Sequence, residues 1–191
     1  MISEDFIFID EHFNTKHLSG KVFLVISNPI KLPPHIGILI NEMYFSLTVN
    51  GFQKNKTVFS LLRKSSSLKL PIICLELKSS NHEKTDLINK AEVIFEKYER
   101  VKADGPSCLK PVLEFLENVY SFGVENVKYI YELIPILQKK SMIKSVSATE
   151  IIEYFPDNKY YFLKYTDLEL RNELVRLINS KNEIKGENNS A

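Results

Sequence analysis

Two residues with chemically useful side chains stand where regular structure would hold them still: His35 and Cys108. His35 follows Pro33-Pro34 and opens the run Ile36-Gly37-Ile38-Leu39-Ile40, whose β-branched, apolar character reads as a strand. The two prolines block regular structure before it, so the imidazole sits at the strand's first position. Cys108 comes just before Leu109-Lys110-Pro111, and proline is tolerated only in the first turn of a helix. With Ser107 or Cys108 as the cap, the thiol lies at the positive end of a helix dipole. Thiolate is favoured there and the cysteine pKa falls. A nearby histidine would lower it further and act as general base for a nucleophilic sulfur. The plainer alternatives are a cysteine packed as a small hydrophobe and a strand-edge histidine bonded to backbone.

A nucleophile of this kind also needs a third polar group to hold the imidazole. If residues 35–40 and 43–49 pair as a hairpin around Asn41-Glu42, then Tyr44, Ser46 and Thr48 share one face of the neighbouring strand. Phe45, Leu47 and Val49 take the other. Ser46 and Thr48 are therefore the candidate orienting groups, and neither carries the charge of a carboxylate. His12, His17 and His82 fall in polar, loop-like segments and read as surface residues.

The elements that position these groups follow from periodicity. Phe6–Ile9 reads as a short strand or helix start, Lys21–Ser27 as a strand, and Asn50-Gly51 as a hairpin turn. Val58–Leu62 suggests a short helix before a polar turn at Arg63–Ser67, and Leu70–Lys78 a further strand. Helical spacing marks Leu87, Ala91, Ile94, Phe95 and Tyr98, then Leu109 to Tyr120, then Val127–Lys140 with a kink at Pro135. Ser147/Glu150 and Thr166/Glu169 have the capping-box pattern, which predicts helices from Ile151 and from Asp167 through Ile178. The expected organisation is an α+β core over residues 1–122, a helical extension over 123–179 packed on it, and a polar, disordered tail over 180–191.

The order Gly20-Lys21-Val22-Phe23, His35-Ile36-Gly37-Ile38, the hairpin through Asn50-Gly51, Val58–Leu62, and Ser107-Cys108-Leu109 before an amphipathic helix resembles a known group. It is similar to the circularly permuted NlpC-type, papain-like cysteine hydrolases, which include YiiX-like and lecithin:retinol acyltransferase-like proteins. The resemblance spans roughly residues 18–122 and rests on order and spacing. It implies a permuted papain-like core of antiparallel sheet and packed helices, with Cys108 as nucleophile, His35 as base, and Ser46 or Thr48 as the orienting residue. It implies hydrolysis of amide or ester bonds in a peptide or acyl-lipid substrate, by a peptidase, amidase or acyl-ester hydrolase. Two positions depart from the group: Lys21 replaces the usual Asp, and Ser46 or Thr48 stands where His or Glu is usual.

Two other readings stand beside the hydrolase. One is a catalytically weak or inactive papain-like binding module, with Tyr154–Tyr165 as an aromatic partner surface. The minor one is a metal-dependent nuclease, because Glu76 and Lys78 in Ile72–Lys78 have the Glu-x-Lys strand pattern. No Asp or Glu lies between Met43 and Leu75 to complete such a site, and a strand emerging into solvent explains the same alternation.

The totals set bounds on all three. Over 191 residues, Lys+Arg 25 against Asp+Glu 24 gives a formal charge of +1, so no global field would gather nucleic acid or an anionic membrane. No apolar run approaches the ~20 residues that span a bilayer. Cys74 in a strand and Cys108 at a turn predict two reduced thiols, no cofactor or metal site of their own, and a cytoplasmic setting, with an acidic N-terminus unlike a signal peptide.

Overall fold

The computed structural model describes residues 6–80, 82–124 and 126–188. The strands are β1 (Phe6–Phe8), β2 (Glu11–His12), β3 (Val22–Ser27), β4 (His35–Ile40), β5 (Met43–Phe45), β6 (Leu47–Thr48), β7 (Gly51–Phe52), β8 (Ile72–Leu77), β9 (Ile143–Ala148) and β10 (Lys159–Tyr161). The helices are α1 (Val58–Leu68), α2 (Lys84–Glu96), α3 (Leu109–Tyr120), α4 (Ile130–Lys139), α5 (Ile151–Tyr154) and α6 (Asp167–Asn188). The fold is α+β.

A six-stranded sheet in the order β2-β9-β8-β3-β4-β5 forms its centre, with β2 parallel to β9 and every other pair antiparallel. β3 is central because both its faces are apolar: Leu24, Val25 and Ile26 are fully buried. Each such side chain contributes about 1.5–3 kcal/mol of hydrophobic stabilisation relative to an exposed one. One face of the sheet is covered by α2, α3 and α4, which meet Leu24, Ile26, Ile36, Ile38 and Ile40 in the main core. The other face carries a smaller core, in which Val58 of α1 meets Phe23, Val25, Leu39, Tyr44 and Cys74.

The strand–strand registers fix the candidate residues. Ser27 lies opposite His35, and Tyr44 lies opposite Leu39. Gly37 is required by the latter. A Cβ there would stand 2.6 Å from the Phe45 carbonyl oxygen and 2.6 Å from Tyr44 Cε2, so the tyrosine ring lies directly across the strand at that point.

Several elements differ from what the sequence predicts. The strand expected over 43–49 breaks at Ser46 into β5 and β6, and β6 pairs with β7 around Val49-Asn50. The polar turn expected at Arg63–Ser67 is helical. α1 continues through it because its serines face solvent or cap its own end: Ser65 donates to the Leu70 carbonyl, and left-handed Lys69 closes the helix. Ser147 is no helix cap. It lies in β9 opposite Cys74 and donates to the Cys74 carbonyl at 3.4 Å. The Thr166/Glu169 box does form, with both reciprocal bonds made. It starts a helix that runs to Asn188, so residues 180–188 are helical where a disordered tail was expected. Residues 189–191, the rest of that tail, lie outside the described residues. The division at 122/123 likewise does not separate a core from an added helical piece, since β9 is an interior strand of the main sheet.

Glu76 also departs from its expected solvent exposure. It is only 5% exposed, and its two carboxylate oxygens accept from Lys21 and Lys144, each at 2.7 Å. Burial alone would raise this carboxyl, but the two lysines outweigh it and hold the pKa below the usual carboxylate value. Lys21, where the resembled group has Asp, is thus a structural partner of β8. A depressed carboxylate contributes stability above its unfolded pKa and loses it as pH falls through the folded one. Stability should therefore decline below about pH 4.5. Lys21→Met is expected to cost about 1–3 kcal/mol, because it strips one partner from a buried charge. Lys144→Met should cost under about 1 kcal/mol, since Lys144 is mostly solvated. Urea unfolding of both variants at pH 7 and pH 4 checks this, with the difference between Lys21→Met and wild type shrinking at the lower pH.

Candidate functional site

β4 delivers His35 at its first residue. Alternation sets the imidazole on the α1 face with Gly37 and Leu39, while Ile36, Ile38 and Ile40 turn towards α3. Cys108 is the N-cap of α3, as Pro111 in the first turn predicts. Its sulfur lies 4.0 Å from the Pro34 carbonyl oxygen and reaches the sheet end from the α3 side. The two residues nevertheless line one cleft of about 410 Å³, which His35 enters from one face of the sheet and Cys108 from beneath its edge. Both cysteines are free thiols.

The electrostatics of Cys108 are mixed. Burial is the largest influence and pushes the thiol up. The backbone N–H groups of Ile36, Cys108 and Leu109 act in the opposite direction and favour thiolate. Burial wins, so the resting thiol is protonated at neutral pH, contrary to the lowered pKa that the helix start alone predicts. The three amides still aim at the place where negative charge would develop on sulfur.

Ser46 and Thr48 both line the cleft, but in different states. Thr48 is committed to the β6–β7 turn: its hydroxyl donates to the Gly51 carbonyl at 2.9 Å and accepts from Asn50 N–H at 3.1 Å. Ser46 sits at the break between β5 and β6, is 2% exposed, and its hydroxyl has no hydrogen-bond partner. Of the two, Ser46 retains a donor for the cleft. Sequence reasoning passed over Tyr44 and Ser27 as site residues. The signal was present: Tyr44 alternates with Ser46, and a glycine faces it on the partner strand.

Much of the remaining wall is apolar, including Pro33, Leu47, Leu61, Pro71 and Ile72, with Lys56 and Lys64 also lining it. Leu174 and Leu177 of α6 contribute as well, so the C-terminal helix forms part of the site. A larger, more open hollow of about 780 Å³ lies on the far side of the α3 start. It contains no nucleophile, and three of its cations are paired: Lys102 with Glu99, Lys128 with Asp167 and Arg171 with Asp104. The smaller cleft is the chemically equipped one.

Glu76 lies elsewhere, and both its oxygens are taken by lysines. Among the described residues no three His, Cys, Asp or Glu side chains gather as a metal site, so the Glu76/Lys78 pattern carries no nuclease reading forward. No described helix is long and apolar enough to cross a membrane. No protein-family model, curated protein or solved structure matches the chain.

Proposed function

We propose that the protein is a cysteine hydrolase of amide or ester bonds, with Cys108 as nucleophile, His35 as base and Ser46 as the polar group nearest their cleft. The observation that carries this reading is the shared cleft. A thiol at a helix start, facing three backbone N–H groups, has a histidine and an unpaired hydroxyl on the same walls. The order of strand-borne histidine, hairpin and cysteine-bearing helix is also that of the permuted NlpC-type group the sequence resembles, and a permuted papain-like core belongs to this proposal.

In the reaction, Cys108 Sγ bonds to the acyl carbon while its proton passes to His35 and the carbonyl π pair moves to oxygen. The backbone N–H groups at the α3 start stabilise that oxyanion. Collapse breaks the bond to the leaving oxygen or nitrogen, which takes the proton from His35. Water then adds to the thioester through His35, the acid departs, and the thiol regains its proton. An apolar wall suits a substrate with an aliphatic segment beside the scissile bond.

General-base contributions of 10²–10⁴-fold are typical. His35→Ala should accordingly lower kcat for p-nitrophenyl octanoate by roughly 10²-fold or more at pH 7.5. Equal rates for the variant and wild type would remove His35 from the mechanism. A binding module without turnover is the second reading, favoured by the burial that keeps Cys108 protonated and by the opposite faces from which Cys108 and His35 arrive.

A further inference from the structure

Three hydroxyls meet at one end of the cleft without adequate partners. Ser27 shares the His35 face of the sheet by register, and Ser46 stands at the strand break. The Tyr44 ring crosses Gly37 so closely that a Cβ there would be 2.7 Å from its hydroxyl. All three oxygens are shielded from solvent, line the cleft and lack a hydrogen bond of acceptable geometry. Ser27 and Ser46 face Tyr44 closely enough to lower its pKa, but burial dominates and raises it to about 12. Tyr44 therefore remains an O–H donor throughout the physiological range. Native proteins rarely leave several neighbouring buried hydroxyls unsatisfied, and an acceptor supplied by a ligand accounts for them.

We infer that Ser27, Tyr44 and Ser46 form a cradle that hydrogen-bonds a neutral carbonyl oxygen, that of an acyl amide or ester whose aliphatic chain lies along the apolar wall of the same cleft. The cradle's donors are uncharged, so a carbonyl satisfies them, whereas a carboxylate placed among them would lose its hydration without an opposing charge. The inference deepens the hydrolase proposal and rests on it for the reaction, while the binding itself is independent of turnover.

Octanamide and octanoate, titrated calorimetrically into the Cys108→Ala protein, provide the test. Octanamide should bind at least tenfold more tightly than octanoate. Adding Tyr44→Phe, which keeps the ring over Gly37, should weaken octanamide about tenfold, and Ser46→Ala should weaken it several-fold. Thermal melts of both variants should match the parent. Unchanged affinity in a folded Tyr44→Phe variant, tighter binding of octanoate, or no octanamide binding would overturn the cradle. If octanamide binds as expected while wild type hydrolyses no ester, the cradle stands and the hydrolase reading falls.

Discussion

Cys108→Ala is expected to abolish ester hydrolysis by this protein, lowering kcat/KM for p-nitrophenyl octanoate on the order of 10³-fold or more. The residual rate should match that of the Cys108→Ala/His35→Ala double variant, because a nucleophile and its base act as one unit and their losses do not add. Cys74 offers no substitute. It is 1% exposed in the sheet between β3 and β9, and burial pushes its thiol far up. The pH dependence follows from the direction of the Cys108 shift. A thiol raised by burial is less ionised at pH 7 than a free cysteine, so iodoacetamide should label Cys108 slowly at pH 7 and progressively faster above pH 9. Fast labelling at pH 7 would mean that the three backbone amides outweigh burial, and the resting enzyme would hold a thiolate. Occupancy of the cleft by octanamide should suppress labelling at every pH.

The second large effect is on stability. Gly37→Ala places a methyl group 2.6 Å from the Phe45 carbonyl oxygen, which belongs to the paired strand and cannot swing aside. The expected cost is about 3 kcal/mol, at the upper end of overpacking effects. For a chain of this size that corresponds to a fall of about 6–12 °C in Tm. Gly20→Ala is the comparison. Gly20 has φ +75° and open space around its Cβ position, so only backbone conformation opposes the change, at about 1 kcal/mol. Calorimetric melting of the two variants checks the order. Equal losses would show that the β4–β5 packing over Gly37 yields more easily than its geometry indicates. Gly37→Ala should also displace the Tyr44 ring, so its ligand binding should fall even where the fold survives.

Much of the sheet was legible because β3, β4 and β8 are unbroken apolar runs bounded by proline, asparagine or serine. The Cys108 helix was legible for a different reason: Pro111 restricts where its first turn can lie. β9 was not, because Ile143-Lys144-Ser145-Val146-Ser147-Ala148 has little β-branched or aromatic character and Ser147/Glu150 mimics a cap. Its strand state comes from pairing with β8, a contact between residues far apart in sequence. The break at Ser46 was hidden similarly, since alternation continues through it and only the β6–β7 hairpin pulls the chain away.

At the site, the four chosen residues do line one cleft, but their individual states were unreadable. Periodicity could not say that Thr48 is held by its own turn while Ser46 is unpaired. A helix dipole argument gave the wrong direction for the Cys108 thiol, because burial depends on α6 and on the Pro33-Pro34 segment, both remote from residue 108. Glu76 looked exposed for the same reason: Lys21 and Lys144, which satisfy it, lie on neighbouring strands.

The central claim is that Cys108 carries the acyl group. Rapid acid quenching of the protein with p-nitrophenyl octanoate, followed by intact mass and peptide mapping, tests it most directly. The account predicts one added octanoyl group, on the peptide containing Cys108, in wild type and in His35→Ala at a slower rate of formation. Ester turnover with the label on another residue, or no label on Cys108 at any quench time, would contradict it.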